Sequence, residues 1–124
     1  MVKKIAVPAL AAAAKNNWTM TVANVDPPGN LVYYEKVDNT RVGQRCRLHR
    51  QGRAPAPRFK RPTKAFLDAL SGGGEELRVL RIEGAVLVEG AFPLVMDGKI
   101  VGAIGVSGGT SAQDSECAKA AATV

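Results

Sequence analysis

The sequence predicts an α+β domain in which helices cover an antiparallel sheet. Three observations carry that reading. Two β-hairpins are each marked by their turn, helix-forming segments stand at both ends, and no strand–helix–strand alternation calls for a parallel sheet. At 124 residues the chain forms a single domain, residues 1–124, long enough for one core.

The first element is "MVKKIAVPALAAAAKNN". Its two lysines and short apolar run mimic a secretory signal. The run is alanine-rich, however, and alanine is the best helix former. Cleavage near Ala14 would remove the helix-like segment at this end, so a structural helix is expected. "WTMTVANVD" then alternates β-branched and apolar residues as a strand does. "DPPGN" is a turn, with Pro28 suited to its second position and Gly29 free to take positive φ. "LVYYEKVD" is the return strand.

"RPTKAFLDALSGGG" predicts a short helix. Pro62 suits a first-turn position, and Gly72, Gly73 and Gly74 end the helix. Phe66, Leu67 and Leu70 form an apolar stripe that reads as core packing rather than a ligand box. The following "LRVLRIEGAVLVEGAFPLVMDGKIVGAIGVSGG" is strand-rich. Within it Asp97-Gly98 signals a two-residue hairpin, because a type I′ turn needs positive φ at both central positions. The last segment, "TSAQDSECAKAAATV", reads as a helix opened by a Thr110–Gln113 capping box.

Composition narrows the classes. Apolar residues make up 46% and charged residues 23%, ordinary for a globular domain. No apolar run approaches the ~20 residues of a membrane span, which argues against a membrane protein. Cys46 and Cys117 are far apart and form no C-x-x-C pair, so free thiols in a reducing compartment, the cytoplasm, are expected. With one histidine and two separated cysteines, no zinc site and no hydrolytic triad can be recognised. Asp114 and Glu116 read as acids that favour a helix N-terminus. Tyr33 and Tyr34 face opposite sides of their strand, so one of them at most looks into a given pocket.

Positive charge is concentrated. Residues 41–61 carry eight basic and no acidic side chains, leaving nine basic against eleven acidic elsewhere. Arginine clusters bind phosphate backbones, yet Phe59 is the one aromatic residue nearby and single-strand binders interleave several. Nucleic acid is therefore not the expected partner.

The stretch "GKIVGAIGVSGGTSAQD" carries the strongest chemical signal. Glycine weakens a strand and marks close approach to the backbone, and Gly102 and Gly105 interrupt an otherwise apolar strand. Ser107, Gly108 and Gly109 lead into the capped helix, whose free N–H groups can receive a carboxylate or phosphate. No G-K-[ST] follows, and a hairpin rather than a βαβ unit precedes, so neither standard nucleotide motif fits. The competing reading is that the glycines let a helix or a second subunit pack closely.

"TVANVDPPGNLVYYEKVDN", "FKRPTKAF" and "GAFPLVMDGKIVGAIGVSGGTSAQDSECAKA" together closely resemble the GlcG/HbpS-like family, which includes the C-terminal domain of PduO. The resemblance covers about residues 16–40 and 58–122. It implies a three-layer α/β/α fold with an antiparallel sheet, related to profilin-like domains, and assembly into homo-oligomers. It also implies binding of haem or a corrinoid, with slow haem degradation in some members. By matching position it points to a pocket near Arg61, Pro62 and Thr63 and near Gly90 to Pro93. Phe92 stands where members often have a second glycine, which implies a narrower pocket or an altered backbone there.

One stretch departs from the family. Between the hairpin and "RPT" the family has an alanine-rich helix with an Ile-Asp/Glu-Lys-Ala pattern, whereas this chain has "RCRLHRQGRAPAPR". Gly52, Pro55 and Pro57 oppose a continuous helix. His49-Arg50-Gln51-Gly52-Arg53 can be encoded CAT CGA CAA GGC CGC, which reads Ile-Asp-Lys-Ala when shifted by one base. The expectation is a compensated frameshift spanning about residues 41–57. His49 can in principle hold haem iron, but it lies inside this anomalous stretch.

The function expected is binding of haem or another anionic metabolite. Ligand contacts are expected from Arg61, Pro62, Thr63, Gly90, Pro93, Gly105, Ser107, Gly108 and Gly109, with His49 as a weak iron-ligand candidate and no other metal site. Two alternatives stay open: an enzyme acting on a small organic acid or slowly on haem, and an oligomeric interaction protein without a ligand.

Overall fold

The computed structural model describes residues 2–40, 62, 64–75 and 90–123. Helix α1 (Val2–Lys15) is followed by the hairpin β1 (Thr21–Val25) and β2 (Leu31–Lys36). Helix α2 (Lys64–Gly72) precedes the hairpin β3 (Ala91–Met96) and β4 (Lys99–Ser107), and α3 (Ser111–Ala122) closes the chain. All described strand pairs are antiparallel, in the order β2-β1-β4-β3. The α+β class read from the sequence holds. No helix among the described residues is long and apolar enough to cross a membrane.

Helix α1 forms as expected despite Pro8. It ends in a Schellman motif: Asn17 takes φ +56, its N–H donates to Ala14 O, and the Trp18 N–H donates back to Ala13 O at 2.9 Å. Asparagine tolerates this left-handed position better than most residues. Ala6, Ala9 and Ala13 share one buried face and meet Cys117, Ala118 and Ala121 of α3 in the main core. Small side chains on both helices let them approach closely. Met20, Val22, Leu94, Ile104 and Val106 of the sheet complete this core. Full burial of an aliphatic side chain of this kind contributes about 1.5–3 kcal/mol.

Several local readings are corrected. β1 is shorter than "WTMTVANVD" suggested and is buried at all five positions rather than alternately. It lies between β2 and β4, and both of its faces are withdrawn from solvent. In the first turn Gly29 N–H donates to Asp26 O, so Pro27, not Pro28, takes the second position. Gly29 does take positive φ, +97. Asp26 Oδ1 also accepts from Asn30 N–H at 2.6 Å, and the Asn30 side chain is the main cause of an Asp26 pKa below its ordinary value. Pro62 precedes α2 instead of opening it, and its carbonyl accepts the Ala65 N–H. Gly72 is the last residue of α2, while Gly73 and Gly74 carry the chain out at positive φ. Leu67 and Leu70 are half-buried, and neither belongs to a described core cluster.

Asp97 and Gly98 adopt φ +50 and +75, the type I′ turn that their sequence calls for. The Thr110 capping box is present in both directions: Thr110 Oγ1 accepts from Gln113 N–H and Gln113 Oε1 from Thr110 N–H.

Candidate functional site

Paired residues in an antiparallel sheet project from the same face, so the register defines what each face presents. Val22, Asn24, Tyr33, Phe92, Leu94, Ile104 and Val106 turn toward the α1/α3 side. The opposite face is built differently. Its middle row runs Tyr34–Ala23–Gly105–Ala91 across the four strands. Ala23 and Ala91 are buried, as is Gly105, so three adjacent strands present almost no side chain there. On one flank lie Val25, Ala103 and Pro93, of which Val25 and Ala103 form a second apolar cluster with Ala91. On the other flank Lys36, Thr21 and Ser107 stand opposite one another.

Four of the predicted ligand residues gather on or beside this face. Gly105 is its centre, Ser107 and Pro93 sit on its flanks, and the Gly90 carbonyl accepts the Val106 N–H at 2.8 Å just before Ala91. Pro62 is half-buried two residues before α2. Arg61, Thr63 and His49 lie outside the described residues, as do Cys46 and the anomalous stretch. Thr21 and Tyr34 complete the face. Sequence reading weighed Tyr34 only as one of a pair and missed Thr21, because strand register with Ser107 is a long-range property.

Gly108 and Gly109 behave otherwise. At the start of α3 two of the N–H groups expected to meet an anion are taken from within: Gly109 N–H donates to Asp114 Oδ1 at 2.9 Å and Thr110 N–H to Gln113. Asp114 is therefore a buried acceptor, 2% exposed, and more than a charge near the helix dipole. A Cβ on Gly108 would run into Thr19 O and the Met20 backbone, so this glycine serves close packing between the end of β4 and the entry to β1.

The polar groups of the face differ in character. Among the described residues Thr21 Oγ1 is a buried hydroxyl oxygen without a hydrogen-bond partner, in a side chain that is 0% exposed. Tyr33 lies on the other side, where its hydroxyl donates to Glu35 and its pKa is raised chiefly by that bond. Cys117 is packed between the helices. Burial first, then Glu116 and Asp114, pushes its thiol up to about 11, which keeps it protonated at neutral pH. Among the described residues no three His, Cys, Asp or Glu side chains cluster as metal ligands do.

A small antiparallel α+β domain with a glycine-rich central strand, a capped C-terminal helix and a side-chain-poor sheet face is a recognisable class of fold. The model of one family, described as "Haem degrading protein HbpS-like", matches residues 1–123, and the chain belongs to that family. Protein GlcG of Escherichia coli strain K12 is 33% identical over 97 residues, covering 77% of this chain and 69% of GlcG. HbpS of Streptomyces reticuli, solved as a double mutant, superposes with a TM-score of 0.83 at 25% identity, covering 98% of this chain and 81% of that one. The crystal structure of a PduOC:heme complex superposes with a TM-score of 0.84 at 21% identity, covering 98% of this chain and 89% of that one.

Proposed function

We propose that this protein binds haem or a related anionic small molecule on the side-chain-poor face of its sheet. The observation that carries the reading is the Tyr34–Ala23–Gly105–Ala91 row. A flat ligand needs a surface without projecting side chains, and small residues on three neighbouring strands would supply one once the ligand takes the place of what covers them in the ligand-free chain. Membership of a family described by haem degradation supports haem as the ligand. The residues present fit such a group. Gly105, Ala23 and Ala91 would lie under it, Gly90, Pro93 and Ser107 would border it, and Tyr34 belongs to the residue types that hold haem iron. Arg61, Pro62 and Thr63 belong to the same proposal, Arg61 as a charge-assisted partner for a carboxylate. When bound, haem would supply the redox chemistry, and the chain would orient it and shield it from water.

Self-association forms part of this reading. Val95, Met96 and Val101 near the β3–β4 turn and Leu31 and Val32 on β2 are exposed apolar side chains, the kind of surface that subunit contacts cover.

Titration of haemin followed by absorbance tests the proposal, with His49→Ala and Arg61→Ala in parallel. A saturable, stoichiometric Soret shift is expected in the native protein, weakened by Arg61→Ala. Absence of saturation would remove haem from the account. Loss in His49→Ala would place the iron ligand in the arginine-rich stretch.

A further inference from the structure

The geometry points to the Lys36–Thr21–Ser107 row as the part of this face that recognises a carboxylate on the ligand, a conclusion that rests on the ligand-binding reading above. The three residues occupy one register line across β2, β1 and β4: Thr21 is paired with Lys36 on one side and with Ser107 on the other. Directly opposed Cβ atoms in such pairs stand about 5 Å apart. One carboxylate over Thr21 would come within reach of the Lys36 ammonium on one side and of Ser107 on the other.

Thr21 distinguishes this row from an ordinary polar strand edge. Its side chain is 0% exposed and its Oγ1 has no partner among the described residues. A buried hydroxyl left unpaired destabilises a fold, and valine would occupy the same space without that cost. Thr21 is sealed in the ligand-free chain, so a carboxylate oxygen would accept its proton once the ligand has displaced what covers this row, in a place where water does not compete. Lys36, exposed at the edge strand, supplies the opposite charge. The neighbouring Ala23–Gly105–Ala91 floor then takes the apolar body of the ligand. The start of α3 is not needed for this task, because Asp114 and Gln113 already occupy the N–H groups of Gly109 and Thr110.

The shared chemistry is a carboxylate, borne by a tetrapyrrole or by a small organic acid. Haemin and its dimethyl ester, which lacks free carboxylates, are titrated by absorbance into the wild type, Thr21→Val and Lys36→Gln. Melting curves of each protein are recorded with and without excess acetate. Thr21→Val is expected to melt higher than the wild type when ligand-free, yet to bind haemin roughly tenfold more weakly, the loss of one charge-assisted hydrogen bond. Lys36→Gln weakens haemin similarly, and neither variant changes binding of the ester. Displacement of haemin by acetate would assign the row to small acids, and resistance to acetate to the tetrapyrrole. Equal haemin affinity in all three proteins, or an ester that binds the wild type as tightly as haemin, would overturn this inference alone. A wild type that neither saturates with haemin nor shifts with acetate would overturn the ligand-binding reading together with it.

Discussion

Glycine-to-alanine substitutions at positions 72, 98 and 108 add the same methyl group, and the structure predicts three different results. Gly72 ends α2 with nothing within 4 Å of a new Cβ. Alanine there gains helix propensity and loses unfolded-state freedom, stabilising by about 0.5 kcal/mol. Gly98 also has open space, but its φ of +75 strains any L side chain, so alanine costs about 1–2 kcal/mol. At Gly108 the new Cβ would strike Thr19 O and lie 2.9 Å from Met20 Cα, both backbone atoms that cannot swing away. Strain and overpacking together then cost about 2–4 kcal/mol. Urea denaturation monitored by circular dichroism reads these differences directly. In thermal melts each kcal/mol corresponds to roughly 4 °C for a chain of this size. Gly108→Ala should also weaken ligand binding, because it disturbs the contact that places Thr21 opposite Ser107. Equal effects at all three positions, or a Gly108→Ala protein as stable as the wild type, would refute the reasoning.

Other consequences are equally specific. Asp114→Ala leaves the Gly109 N–H without its acceptor and should cost about 1–3 kcal/mol in urea denaturation. The Cys117 thiol has a folded pKa near 11, above its unfolded value of 9.0, so the native state holds the proton more tightly. Its contribution is complete below pH 9 and is lost as pH rises toward 11, a decline that Cys117→Ala should remove from the stability profile. The coding DNA for residues 41–57 should read Ile-Asp-Lys-Ala in the shifted frame; a shifted frame with no helix-like peptide would exclude the frameshift.

The parts of the fold legible in the sequence are those governed by local chemistry. Asp97-Gly98 demands one turn type, and Thr110 with Gln113 can cap one helix start, so both were readable from neighbouring residues. The alanine run of α1 was legible as a helix, though its partner, the small-residue face of α3, was not. Two adjacent prolines left the first turn ambiguous by one position, and the Asp26–Gly29 hydrogen bond decides it. The site was half legible. Gly105 and Ser107 stood out because glycine in a strand is costly and therefore meaningful. Thr21 looked like any β-branched strand residue, since its importance comes from register with a distant strand and from an unmet hydrogen bond. The acceptors of the Gly109 and Thr110 N–H groups are illegible for a related reason: helix-start N–H groups look available until their internal acceptors, Asp114 and Gln113, are located.

The account's central claim is that the ligand lies against the side-chain-poor face of the sheet. Amide NMR mapping with gallium protoporphyrin, a diamagnetic stand-in for haem, tests it most directly. The account predicts saturable shifts at Thr21, Ala23, Ala91, Gly105 and Ser107, while Ala9 and Ala118 between the helices stay in place. Shifts confined to α1 and α3, with that face unmoved, would contradict it.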